Sequence, residues 1–192
     1  MDANKKEIMD KILAKKMLFD MADVFDEVNL QFFLSDGTCL GAYREKDFIE
    51  YDDDIDLKAK AEDFIPIFSL LKVKFEEKGY GIWKGNFPFR RVSRMSVRKE
   101  SIHVDICGLY LIGNERWLPG KKHSFVWPAR LFDDSEQIDF LGRRFNIPTP
   151  VTEYLALTYE SDYMTPKSAT EYRRPKELFG DFDPSKVPEE LR

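Results

Sequence analysis

The sequence predicts an α/β (α+β) fold in a single domain. Apolar residues recur at helical spacing in two long segments, residues 5–28 and 63–78, whereas Leu30–Leu34 and Ile55–Ala59 are short apolar or alternating runs of strand type. The 192 residues suit one domain, and a chain of that length buries roughly 70% of its unfolded surface. With 16 Phe, 8 Tyr and 3 Trp, it carries more aromatic mass than a chain that never collapses.

Each element has a local reason. In residues 5–28, Met9, Leu13, Met17, Met21 and Phe25 fall every four residues with Lys and Asp on the other side, which predicts an amphipathic helix packed through a methionine stripe. Leu30–Leu34 predicts a buried strand, stopped by the turn signal Ser35-Asp36-Gly37-Thr38 and followed by a short helix over Cys39–Arg44. Ile55–Ala59 reads as the next strand. Asp63–Lys78 reads as one helix, with Pro66 in its first turn and Gly79 closing it. Val92–Arg98 and Ile102–Leu111 form a strand pair across Lys99-Glu100-Ser101, and Gln137–Ile147 a hairpin turning at Leu141-Gly142-Arg143. Val151–Glu160 is a helix after Pro150. Residues 1–166 form the domain. Residues 167–192, charged and carrying Pro175, Pro184 and Pro188, are expected to wrap the surface or fray.

Composition narrows the function. The net charge of −5 argues against a nucleic-acid coat or a polybasic membrane binder. No apolar run is long enough to span a bilayer, and the opening MDANKKEIMDKILAKK lacks the apolar core of a secretory signal. Cys39 and Cys107 make no disulfide framework and have no zinc spacing with His103 or His123, so a reducing, cytoplasmic setting is expected.

The chemistry concentrates at Tyr51-Asp52-Asp53-Asp54-Ile55-Asp56. Strand side chains alternate, so Asp54 and Asp56 share a face, and Asp52 joins them if the strand reaches that far. Two carboxylates about 7 Å apart repel by roughly 2 kcal/mol at an effective dielectric near 20. A divalent cation, a basic partner such as Arg44, or open water must offset this. The run leads into Ile55 and Leu57, which look buried, and that favours a metal over a solvated loop. An EF-hand is excluded, because its sixth position needs Gly and here is Leu57. Strand carboxylates suit Mg²⁺ or Mn²⁺ bound together with substrate phosphates. Asp105 is the expected third carboxylate: in Ile102–Cys107 the even positions are apolar, so His103, Asp105 and Cys107 share the opposite face. A salt bridge from Asp105 to Arg94 or Arg98 is the structural alternative. Gly37 and Thr38, at a helix start, can bring backbone N–H groups close to a phosphate.

Ser35-Asp36-Gly37-Thr38-Cys39-Leu40-Gly41-Ala42-Tyr43-Arg44, followed by Phe48-Ile49 and Tyr51-Asp52-Asp53-Asp54-Ile55-Asp56, resembles the LicD/fukutin family. Its usual signature reads Gly-Thr/Ser-Leu-Leu-Gly-Ala-x-Arg and then Phe-Ile-Pro-Trp-Asp-Asp-Asp-Ile-Asp. Looser similarity at Val104-Asp105-Ile106, Leu141-Gly142 to Ile147-Pro148, and Tyr154 to Pro166 extends it over about residues 5–166. The resemblance implies a nucleotidyltransferase-like fold with a small mixed sheet flanked by helices. It also implies transfer of a phospho-alcohol, of phosphocholine or polyol phosphate type, from a CDP-linked donor to a glycan hydroxyl. It places the metal on Asp54 and Asp56, with Asp105 third and Asp52 auxiliary, and the substrate on Gly37, Thr38 and Arg44. Asp54, Asp56 and Asp105 become the catalytic carboxylates, Asp105 being a candidate acceptor for the hydroxyl proton, while Arg44 or one of Arg90, Arg91, Arg94 and Arg98 offsets phosphate charge. Tyr51 and Glu50 replace the usual Trp and Pro, Cys107-Gly108 the usual Phe-Pro, and Glu160 a common Gly. Three alternatives stay open. A nucleotidyltransferase would move the nucleotide and release pyrophosphate, and a glycosyltransferase would release a nucleoside diphosphate. A non-catalytic binding module would keep the fold without turnover. Trp83, Phe87, Phe89, Trp117 and Trp127 are candidates to stack a base or sugar, cage a choline cation, or simply fill the core.

Overall fold

The computed structural model of the chain describes residues 9–84, 93–120, 123–168, 171 and 173–192. Residues 5–8 of the first expected helix, and Phe87, Phe89, Arg90, Arg91 and Val92, lie outside them.

Helix α1 (Lys11–Glu27) starts at Asp10, whose carboxylate accepts from the N–H groups of Ile12 and Leu13 at 3.0 and 3.1 Å, satisfying two free donors of the first turn. Its methionine stripe is core: Met17, Met21 and Phe25 are fully buried. Phe25 packs on Phe32 of β1 (Phe32–Leu34) and edge-on against Phe75. Then come α2 (Asp36–Arg44) and β2 (Asp54–Lys60). The single helix expected over Asp63–Lys78 is two, α3 (Ala61–Phe64) and α4 (Phe68–Glu77), parted by a turn at residues 65–67. Pro66 lies in that turn, where its missing N–H leaves the helical ladder without a donor.

Strands β3 (Gly81–Lys84), β4 (Arg94–Lys99), β5 (Ile102–Ile112), β6 (Glu115–Leu118) and β7 (Ser124–Pro128) follow. The hairpin β8 (Glu136–Phe140) and β9 (Arg143–Ile147) turns where expected, with Leu141 and Gly142 both at positive φ. That backbone matches the twist of a tight two-residue hairpin. Helix α5 (Val151–Tyr159) follows. Within residues 167–192, β10 (Phe179–Gly180) pairs with β7, and Leu178, Val187 and Leu191 are buried.

Eight strands make one mixed sheet in the order β1-β2-β5-β6-β7-β10, with β4 and then β3 branching from β5. Among the described strands β2 and β5 run parallel and the other pairs antiparallel. The eleven-residue β5 is the pivot: its first half lies between β2 and β4, and its far end pairs with β6. On one face of the inner sheet Ile55, Leu57, Met95, Val97, Val104 and Ile106 are all buried and form an apolar layer. The chemistry therefore collects on the other face.

Candidate active site and metal centre

The parallel register of β2 and β5 puts Asp54 opposite His103, Asp56 opposite Asp105 and Lys58 opposite Cys107. On β5's other side, β4 sets Arg98 opposite His103, Ser96 opposite Asp105 and Arg94 opposite Cys107. Paired residues share a face, so these nine side chains form three rungs on one surface.

Ligand-capable atoms of Asp54, His103 and Asp105 lie within 4.8 Å of one another, and so do those of Asp52, Asp53 and Asp54. Asp54 and Asp105 thus come together as the sequence predicts, with His103 as the third member. Asp56 shares their face but belongs to neither group. Strand β2 starts at Asp54, so Asp52 precedes it, and strand alternation does not place its carboxylate. That carboxylate instead lies against Gly37: a Cβ on Gly37 would stand 2.2 Å from Asp52 Oδ2.

Helix α2 begins at Asp36, three residues before its expected start, so Gly37 and Thr38 sit inside its first turn. This tight strand-to-helix turn holds the site's backbone. Ser35 N–H donates to the Asp56 carbonyl at 3.0 Å, and Asp56 N–H donates to Thr38 Oγ1 at 2.9 Å. The hydroxyl of Ser35 is buried with no hydrogen-bond partner among the described residues. Arg44 points elsewhere: its guanidinium pairs with Glu45 at 2.6 Å and donates to the Tyr163 carbonyl at 2.9 Å.

Electrostatics grade the face. Burial, reinforced by the neighbouring Asp36 and Asp54 carboxylates, pushes the Asp56 carboxyl well above its ordinary range. A hydrogen bond to Asp54 raises the His103 imidazole against the opposing effect of burial, and His103 Nε2 lies 3.5 Å from Asp54 Oδ2. Asp105 is ion-paired with Arg94 and accepts from the Ser96 hydroxyl, so the salt bridge weighed as the structural alternative is present. A carboxylate has about four lone-pair sites, so both contacts leave it capacity for a cation. Burial pushes the Cys107 thiol up to about 12, which keeps it protonated and removes it as a nucleophile at neutral pH.

Below the carboxylates lies a buried ionic knot. Lys58, 1% exposed, is ion-paired with Asp36, donates to Tyr154 Oη at 3.3 Å, and lies over the Trp127 ring at 4.6 Å. Tyr154 Oη also accepts from Asp36 N–H at 3.0 Å. Arg174 donates to Asp36 Oδ1 at 2.9 Å while its guanidinium lies over Phe125. Burial alone would raise Asp36, but Lys58 and Arg174 outweigh it and hold the carboxyl well below its usual range. Sequence reasoning missed this group. An Asp in a turn and a Lys in a strand are ordinary polar residues, and nothing local links them to Arg174.

Residues 29–150 match the profile of LicD/FKTN/FKRP, nucleotidyltransferase domain. The chain belongs to this family. Relatives include the Ribitol-5-phosphate transferase FKTN of Homo sapiens and of Macaca fascicularis, each 25% identical over 171 residues, a match covering 84% of this chain. The chain spans about a third of their length, 35%. The solution structure of the antibiotic-resistance factor ANT(2'')-Ia superposes with a TM-score of 0.50 at 16% identity, covering 72% of this chain and 66% of that one. That likeness bears on the fold alone, which is of nucleotidyltransferase type. No helix among the described residues is long and apolar enough to cross a membrane.

Proposed function

We propose that this member of the family transfers a phospho-alcohol, of phosphocholine or polyol phosphate type, from a CDP-linked donor to a glycan hydroxyl. The observation that carries the reading is the convergence of Asp54, His103 and Asp105 within 4.8 Å, in a domain whose relatives include ribitol-5-phosphate transferases. The donor set, two carboxylates and one imidazole with Asp52 and Asp53 beside them, fits Mg²⁺ or Mn²⁺. A bound cation would neutralise the donor's diphosphate and the charge that builds on its leaving group.

The chain's own residues do the rest. Asp54, His103 and Asp105 would hold the cation, with Asp56 on the adjoining rung and Asp52 at the turn. Ser35 and Thr38 fix the Asp56 backbone, and Gly37 at the start of α2 admits the Asp52 carboxylate close to the helix. The acceptor oxygen forms a bond to the donor's distal phosphorus, the bond from that phosphorus to the bridging oxygen breaks, and CMP departs with the electron pair. The hydroxyl proton passes to a carboxylate of this face. Asp105 already serves Arg94 and Ser96, so Asp56 is the better-placed acceptor. Arg94 balances charge beside the phosphate.

The family domain's own description favours a second reading, transfer of a nucleoside monophosphate with release of pyrophosphate. Product mass separates the two. Saccharide acceptors incubated with CDP-choline, CDP-ribitol or CDP-glycerol and Mg²⁺ or Mn²⁺ should gain the phospho-alcohol, and Asp54→Asn should abolish the gain. Gain of a nucleotide from an NTP would establish the second reading instead. Undiminished activity in Asp54→Asn or after chelation would refute both.

A further inference from the structure

Trp83 is 55% exposed, an unusual place for the largest apolar side chain. Its strand partner is Ser96, which faces Asp105, so Trp83 extends the rung Asp56–Asp105–Ser96 to β3, the last described strand on that side. It lies two strand spacings from Asp105, roughly 10 Å. Arg98, on the rung of Asp54 and His103, sets its guanidinium 5.8 Å from the Trp83 ring centroid. Opposite Arg98 stands Gly81, with no side chain to fill the surface between them.

We infer that Trp83 and Arg98 form the subsite for the nucleobase of the donor, Trp83 stacking on the base while Arg98 buttresses the ring and faces the phosphates. The inference rests on the phosphotransfer reading for its donor, but not for the stacking itself. Three observations point to a base. The aromatic face is exposed and on the same surface as the metal cluster, at a separation that a ribose and diphosphate bridge. Arg98 repels a choline cation, so this is not a cage for a quaternary ammonium. An aromatic ring takes any base by stacking, and a neighbouring guanidinium adds a cation–π contribution.

The test measures affinities of CDP, inorganic pyrophosphate, the saccharide acceptor and Mn²⁺ for the wild type, Trp83→Ala and Trp83→Phe by calorimetry. Because Trp83 is exposed, both variants should keep the wild-type circular dichroism and melting temperature. Trp83→Ala should weaken CDP about 5- to 100-fold, leave pyrophosphate and Mn²⁺ unchanged, and be rescued by Trp83→Phe. The inference is overturned if CDP affinity is unchanged, if pyrophosphate weakens equally, or if only the saccharide acceptor weakens. The phosphotransfer reading fails by a different result, the mass of the product. A CDP site that depends on Trp83 would stand even if no phospho-alcohol moved.

Discussion

Replacing Asp36 with Asn tests the ionic knot beneath the carboxylates. The substitution keeps the side chain's shape and removes its charge. Two cations then lose their counterion, but not equally. Arg174 keeps 34% of its side chain exposed and can turn to water, whereas Lys58 keeps 1% and cannot. The loss is therefore that of one stranded buried ammonium, about 3–5 kcal/mol. In a chain of this size each kcal/mol moves the melting temperature by about 2–4 °C, so a drop of about 6–20 °C is expected. Urea unfolding of the wild type, Asp36→Asn, and Asp36→Asn combined with Lys58→Met gives the free energies directly. The double variant should recover a large part of the loss, because it removes the stranded charge and keeps the volume. The folded Asp36 carboxyl lies below its unfolded value of about 3.9. Its contribution is thus complete above that pH and drains away as the pH falls below it. A loss under about 1 kcal/mol, or a double variant no better than the single, would show that Lys58 is not held as a buried cation by Asp36.

Other substitutions reach the site from different sides. Thr38→Val leaves the Asp56 N–H without its acceptor at 2.9 Å and should cost about 1–3 kcal/mol together with activity; unchanged urea unfolding would mean that the N–H finds another partner. Gly41→Ala sets a Cβ 2.6 Å from the Asp47 carbonyl oxygen, a backbone atom that cannot swing aside, and should cost about 1–3 kcal/mol. Gly37→Ala meets the mobile end of the Asp52 side chain, so its cost in unfolding experiments should be the smaller, with Mn²⁺ affinity bearing the effect; equal stability losses would contradict this contrast. His103 is raised by its hydrogen bond to Asp54, so its stabilising proton is held below about pH 6.5 and lost as pH rises through the folded value. The same proton competes with a cation, and Mn²⁺ affinity measured by electron paramagnetic resonance should climb with pH around neutrality and lose that slope in His103→Ala. A slope that persists in the variant would exclude His103 from the binding set.

Legibility in the sequence followed the range of the interaction. Alternation is a property of neighbours, so the shared face of Asp54 and Asp56, and of His103 and Asp105, could be read before any fold was known. Placing the two faces side by side needed only the expectation that both strands join one sheet. Arg94 was legible as a partner of Asp105 because β4 and β5 meet through a short turn, whereas Arg98, the other candidate, lies against Trp83 instead. Other features were not. Strands β6 and β7 are short, and β7 mixes Ser124 and Pro128 with its aromatics, so neither carries a clean period. The partition of helix 63–78 turned on whether Pro66 stood in a first turn or a break, and periodicity cannot distinguish these. Lys58 continues the polar face of β2 and reads as a surface residue. Only its cover of Trp127 and Tyr154, from distant segments, makes it internal. Arg44 closes the family's first motif, yet its local carboxylate, Glu45, captures it.

The knot also sets a schedule. Asp36 precedes Arg174 by 138 residues, and Lys58 precedes Tyr154 by 96. At the ribosome's ordinary pace of about 5–20 residues per second, the Asp36 carboxylate waits roughly 7–28 s between its own synthesis and that of Arg174. For the first 118 residues of that interval the nascent chain has neither the Tyr154 phenol nor the Arg174 guanidinium, and for the rest it still lacks the guanidinium that seals the strand's charged end. A message cut short between codons 154 and 174 would therefore yield a protein with every proposed metal ligand and an unsealed floor beneath them.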